Sequence, residues 1–298
     1  MATEVLRRPI RPGHPIPAPR PLPPRMKVRY ATSMTIGIGI LTTGGSVMAS
    51  DTLESWGLGM NKTHTPKILT GGTVGRSGCG CIAVSGAGDS DSLDCVKQEA
   101  VDLFLSKCRA GTVASAFEPE LKALVSNFHR KHVVPFSHNP NEAPPAIDLL
   151  IEVVHPLMSQ LWITNKTKVR QQSTYATVGV AGDYVKARLD RFKNAAIWQD
   201  IGIAAVLAAY GVFLAKRDIE GCGGDTQLVL LRGDMAKYVP HDVVEEMERL
   251  FASYEQVGSQ ALLYCVGTPI TLPDKTPRML ALWFRSLRGE ISRIVERL

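Results

Sequence analysis

The chain has 298 residues, 45% of them apolar and 21% charged, with a mean hydropathy close to zero. That composition excludes collagen-like and disordered classes, and the length is enough to bury one sizeable core. The most apolar helical segment, Ile201 to Leu214, is too short for a bilayer of ~30 Å, so no membrane partner is expected. The formal charge of +6 belongs to residues 1–34, where seven basic side chains stand against Glu4. The remainder is neutral, and composition gives no support to a nucleic-acid partner.

Eight prolines between Pro9 and Pro24 forbid helix or interior strand at the start, which predicts a disordered leader over residues 1–34. Ile36, Ile38 and Ile40 then alternate as in a strand with one buried face. Thr42 to Gly45 reads as a turn and Ser46 to Asp51 as the returning strand of a hairpin. A second reversal at Trp56 to Gly59 leads to a strand Lys67-Ile68-Leu69, with Thr70-Gly71-Gly72 as a turn behind it. The apolar run Cys81 to Val84 follows, and Ser85-Gly86-Ala87-Gly88-Asp89 reads as a turn into a long helix carrying Val96, Ala100, Leu103 and Phe104 at helical spacing. A second helix spans Ala114 to Lys131.

Three further strands are predicted, Ile147 to Val154, Gln160 to Asn165 and Thr174 to Val180. Helices at Tyr184 to Phe192 and Asp200 to Ala215 come next, then a strand at Gln227 to Arg232. Runs of strands alternating with helix pairs point to an α+β fold, two antiparallel sheets packed together with a helix layer outside each, an αββα sandwich. Three units are expected: the leader 1–34, a domain over 35–234, and a C-terminal helical extension over 235–298 with a charged helix His241 to Glu255 and a terminal segment Pro277 to Leu298.

Thr35, Asp51 and Lys67 stand at equal intervals of sixteen residues with chain reversals near the midpoints. Partners in a hairpin have a nearly constant index sum, so the first reversal returns Asp51 to the level of Thr35 and the second returns Lys67 to the same end. A hydroxyl, a carboxylate and an amine are brought together by topology. Rival constellations are weaker. Cys79, Cys81 and Cys95 lack zinc spacing, and His129, His132 and His138 lie at a helix end and in a Pro-rich loop. Gly223-Gly224 lacks the Lys-Ser/Thr of a phosphate-binding loop. No metal and no cofactor are expected, and six cysteines without framework spacing fit a reducing cytoplasm.

At these residues the sequence resembles the proteasome β-subunit family of N-terminal nucleophile hydrolases and its bacterial relatives. Thr35, Ala49-Ser50-Asp51 and Lys67-Ile68 are similar to the family's catalytic Thr, Ala-x-Asp and Lys-Ile elements in the same register. Ser85 to Asp89 resembles its Gly turn, Thr177 to Gly182 its second Gly-rich turn, and Arg217-Asp218 with Cys222-Gly223-Gly224 the elements before the last strand. The resemblance implies the four-layer αββα fold and a threonine endopeptidase acting on peptide or unfolded protein. Thr35 is then the nucleophile, with its own freed α-amine as base, and Lys67 and Asp51 tune that amine. Ser85 and Gly86 supply the oxyanion donors, and Asp218 and Cys222 are supporting residues. It also implies a homo-oligomeric ring and leaves an ATPase unfoldase partner open.

Two departures stand out. Val180-Ala181 takes the place of a hydroxyl-bearing Gly-Ser-Gly turn, and Cys222 stands for a Ser with one extra residue after Asp218. The alternatives are a catalytically silent structural subunit of the same fold and an N-terminal nucleophile amidase on small amides. The nucleophile must begin its chain. Cleavage after Met34, or translation from Met34 with removal of that methionine, gives Thr35 a free amine; Thr32 or Ser33 would break the register.

Overall fold

The computed structural model describes residues 35–56, 61–72, 80–135, 144–156, 158–192, 199–265 and 276–298. The leader, the tip of the second reversal at 57–60, and Cys79 lie outside the described residues. The first sheet is built from β1 (Ile36–Thr42), β2 (Gly45–Asp51), β10 (Tyr175–Gly179), β11 (Thr226–Arg232) and β12 (Met235–Tyr238) in the order β10-β1-β2-β11-β12. The second holds β5 (Leu69–Gly72), β6 (Cys81–Gly88), β7 (Ile147–His155), β8 (Met158–Asn165) and β9 (Lys168–Gln172) in chain order. Every pairing is antiparallel, and a separate ribbon joins β3 (Leu53–Trp56) to β4 (Asn61–His64).

The strand period of two sorts side chains into three apolar layers. On β1, Ile36, Ile38 and Ile40 face α3 (Gly182–Leu189) and α4 (Ile201–Asp218), together with α5 (His241–Cys265) and α6 (Thr276–Arg297) outside them. On β6 and β7, Ile82, Val84, Leu149, Ile151 and Val153 face α1 (Ser90–Ala110) and α2 (Val113–Phe128), where Phe104, Phe117 and Trp162 pack ring on ring. Between the sheets lie Met48, Ala83, Leu150, Leu161, Val178, Val229 and Leu231. This is the αββα sandwich expected from the sequence.

Close approach of the sheets depends on β1 presenting glycine to the middle layer. A Cβ on Gly39 would fall 2.7 Å from Glu152 Oε1 and 2.9 Å from Leu161 Cδ1 of the second sheet, and one on Gly37 2.9 Å from Val178 Cγ2 of the neighbouring strand β10. Helix α1 is fixed at both ends: the Asp89 side chain accepts from the Ser92 amide, and Gly111 closes the C-terminus in the left-handed region at φ 68°. Helix α4 is apolar nearly all round because it is enclosed by the sheet, α3 and α5. The apolar stripe Val243, Val244, Met247 and Phe251 of α5 packs into the same core, as does Ile294 of α6.

Glycine-rich segments were the least legible. Ser85 to Gly88 is strand, paired with Leu150 to Ile147, and the chain turns only at Asp89. Thr70 to Gly72 is also strand, and Gly71 lets α1 approach, since a Cβ there would lie 2.5 Å from Val101 Cγ1. Lys67 and Ile68 precede that strand instead of forming it. β9 and β12 are polar edge strands without alternation, which hid them from periodicity.

One titratable group in the middle layer belongs to no site. Glu152 is fully buried and no well-formed hydrogen bond reaches its carboxyl oxygens. Burial holds its carboxyl well above the usual carboxylate range, opposed by the Ser46 hydroxyl and the Ile40 backbone. Below the unfolded carboxyl pKa of about 4.3 the group is neutral in both states and costs nothing. As pH rises past it only the unfolded chain ionises, so stability falls by about 1.4 kcal/mol per pH unit until the folded pKa is reached. Denaturant titrations of Glu152→Gln between pH 4 and 8 are expected to lack that slope; parallel pH dependences of the two proteins would contradict the assignment.

Candidate active site

The register of the first hairpin sets the site. Gly37 pairs with Ser50 and Ile38 with Ala49, so Thr35, just ahead of β1, arrives beside Asp51, the last residue of β2. The Ser50 hydroxyl donates to the Ile36 carbonyl at 2.8 Å and fixes that end. The β3-β4 ribbon, with Leu53 opposite His64, brings the chain back to Lys67. The backbone of Lys67 is then clamped: the Gln227 side-chain oxygen accepts from the Lys67 amide at 2.6 Å and the Ile68 amide at 3.2 Å, and Lys97 Nζ donates to the Lys67 carbonyl at 3.3 Å.

Thr35, Asp51 and Lys67 are all buried. The Thr35 hydroxyl donates to Asp51 Oδ1 at 2.6 Å and accepts from Lys67 Nζ at 2.6 Å. Lys67 Nζ also donates to Asp51 Oδ1 at 2.9 Å and to the Leu53 carbonyl at 2.5 Å, so its three protons are all used. Asp51 accepts in addition from the amides of Ile36 at 3.2 Å and Gly223 at 3.0 Å. Burial lowers the Lys67 pKa from its ordinary value, and Asp51 opposes that shift. The result is a buried ion pair with a threonine hydroxyl held between cation and anion.

Gly179 closes the back of this cluster. Its φ is 97°, and a Cβ there would sit 2.1 Å from the Thr35 carbonyl oxygen, so a side chain is excluded on both counts. Ser85 is buried on the inward face of β6 and its hydroxyl has no hydrogen-bond partner among the described residues. Strand β5 ends its pairing with β6 at Val84, so the edge of β6 from Ser85 to Gly88 that faces away from β7 carries no strand.

The supporting residues divide. The Cys222 thiol neighbours Asp51 and Lys67, and burial with the charge of Asp51 pushes its pKa up to about 12. Asp218 instead pairs with Arg217 at 2.7 Å and accepts from the Tyr184 hydroxyl; Arg217 holds its carboxyl at about 2, and no hydrogen bond connects it to Thr35. Val180 is exposed and Ala181 is buried in the helix-side core, so neither offers a polar group to the cluster. Gln227 and Lys97 escaped sequence reasoning, since neither carries a motif. Among the described residues no group of three or more His, Cys, Asp and Glu side chains could hold a metal ion, and no helix is long and apolar enough to cross a membrane.

Removing Asp51 strands the Lys67 ammonium in the interior, which costs about 3–5 kcal/mol in such pairs. Asp51→Ala is therefore expected to be strongly destabilised in chemical denaturation, and adding Lys67→Met to recover much of the loss. A double variant no more stable than Asp51→Ala would show that the pair is not the source of the cost.

No protein-family model matches the chain, and no curated protein matches it. Solved structures do. An Anbu (Gly-1) mutant from Hyphomicrobium sp. strain MC1 superposes with a TM-score of 0.59 at 15% identity over 80% of this chain and 99% of that one. Anbu from Yersinia bercovieri, described as an ancestral beta-subunit, gives 0.56 at 15% over 80% and 99%. A helical assembly of the Anbu complex from Pseudomonas aeruginosa gives 0.59 at 16% over 79% and 98%. At this identity the likeness is one of fold: two antiparallel sheets flanked by helices, as in the Anbu proteins.

Proposed function

We propose that the chain is a threonine endopeptidase of the proteasome β-subunit kind, with Thr35 as nucleophile. The observation that carries this reading is the Thr35 hydroxyl, buried and held at 2.6 Å by both Lys67 Nζ and Asp51 Oδ1. Either neighbour alone is common; a hydroxyl clamped by a lysine and its paired carboxylate at the first residue of a sheet is an activation device.

Once Thr35 begins the chain, its α-amine, with a reference pKa of about 8, takes the hydroxyl proton as Oγ attacks the peptide carbonyl. Lys67 remains an ammonium, stabilises the developing alkoxide and lowers the amine's pKa by its charge. The oxyanion takes hydrogen bonds from the free edge of β6 near Ser85 and Gly86. Collapse breaks the C–N bond, the amine returns its proton to the leaving nitrogen, and an ester on Thr35 remains. Water activated by the same amine hydrolyses that ester and regenerates the hydroxyl.

The Pseudomonas Anbu protein forms a helical assembly, and copies of this chain are proposed to associate as well, in the expected ring or in a helix. The silent-subunit reading is favoured by one feature: Val180-Ala181 puts no hydroxyl beside Thr35, so the amine lacks that support.

Intact mass of protein from its native host separates the two, because only a chain that starts at Thr35 has the base. Thr35→Ala is expected to lower hydrolysis of fluorogenic peptides by a factor of about 10³ or more while the chain still folds and assembles, and Lys67→Ala to be almost as damaging. Full activity in either variant, or a native chain that keeps Met34, would move the assignment to the structural subunit.

A further inference from the structure

At the end of the sandwich that holds Thr35, an opening lies beside Gly179. It is a cleft of about 300 Å3 where the end of β10 and the first turn of α3 face β7 and the β8-β9 hairpin across the two sheets. Thr177, Gly179 and Asp183 line one wall, and Asp148, Asn165 and Arg170 the other. β10 is the edge of its sheet and β9 the edge of the other, so among the described residues no strand closes this side of the sandwich. The opposite side is closed, because the Tyr238 hydroxyl donates to the Ile68 carbonyl at 3.0 Å and joins β12 to the chain entering β5.

The cleft and the nucleophile share a wall. Gly179 lines the cleft, and its missing Cβ would lie 2.1 Å from the Thr35 carbonyl oxygen and 3.2 Å from Thr35 Cγ2. On the peptidase reading, the nitrogen that leaves takes its proton from the Thr35 α-amine and so lies within reach of the Thr35 backbone, with which the cleft shares the Gly179 wall. That adjacency makes the cleft a place for the first side chain beyond the broken bond.

Its chemistry is that of an unmatched anion. Asp148 is only partly exposed and makes no ion pair among the described residues. Burial alone raises its carboxyl pKa, the sign of a carboxylate that has lost water without gaining a cation. Asp183 adds a second carboxylate, and among the described residues Arg170 is the one cation on the walls, exposed at the rim. A cation entering the cleft regains for Asp148 what desolvation removes, whereas an acidic side chain meets two carboxylates.

We propose that this cleft is a leaving-side specificity subsite that takes a basic side chain, lysine or arginine, just after the scissile bond, with Asp148 as its recognition residue. The proposal rests on the peptidase reading, and its test is built to fail separately. Two internally quenched peptides identical except for lysine or norleucine after the cleaved bond, located by mass spectrometry of the products, are offered to the wild-type assembly for hydrolysis and to the Thr35→Ala protein for binding by fluorescence anisotropy.

Binding to Thr35→Ala decides the subsite. The lysine peptide is expected to bind about tenfold more tightly than the norleucine peptide, and Asp148→Asn in the same background to equalise them. Equal affinities without that substitution, or a preference that survives it, would each overturn the subsite. A melting curve of Asp148→Asn that matches its parent guards against loss of fold. Hydrolysis of neither peptide by wild-type protein overturns the peptidase reading and leaves the binding result to stand by itself.

Discussion

A lysine ammonium buried against an aspartate is the constraint around which the rest of this molecule is arranged. Neither charge could remain in the interior alone, because several kcal/mol of desolvation per ion must be answered by geometry. The answer is a saturated set of hydrogen bonds: three donated by Lys67 Nζ, and four accepted by Asp51 from Thr35, Lys67, Ile36 and Gly223. The partners come from separate stretches of chain: Thr35 and Ile36 at the start of β1, Leu53 in the ribbon, and Gly223 ahead of β11. The pair can exist only if β1, β2, the β3-β4 ribbon and the approach to β11 end at one place.

That requirement explains several features that would otherwise be unrelated. Gln227 and Lys97 hold the Lys67 backbone from β11 and from α1, so the two sheets and a helix share in placing one amine. Glycine at 39 leaves room for Glu152 and Leu161 of the second sheet, glycine at 37 for Val178 of the neighbouring strand, and glycine at 179 lets the β10 backbone pass behind Thr35. Where glycine in a sequence most often marks a turn, here it marks close approach of a neighbouring side chain or backbone.

The outer helices play a different part. α4 is a small-residue helix pressed onto the first sheet, with Gly211 against Ile38, and α5 and α6 cover it with Val243, Met247, Phe251 and Ile294. The C-terminal half of α6 is anchored by Ile294 and by the Arg297–Glu246 ion pair at 2.6 Å, while Leu282 and Phe284 near its start are exposed.

The sequence by itself determined what periodicity and index arithmetic can carry. Alternating isoleucines located β1, an equal spacing of sixteen residues placed Thr35, Asp51 and Lys67 together, and strand runs between helix pairs gave the two-sheet sandwich. These are local or nearly local regularities, each readable from neighbours in the chain. Tertiary structure alone decided the rest. Ser85 to Gly88 became strand because Leu150 to Ile147 lay ready to pair with it, and Asp218 went to Arg217 and Tyr184 because its helix carried it outward. Gln227 and Lys97 became part of the site through contacts 160 and 30 residues away in sequence. Such contacts depend on how whole layers dock, and no spacing within one segment encodes that.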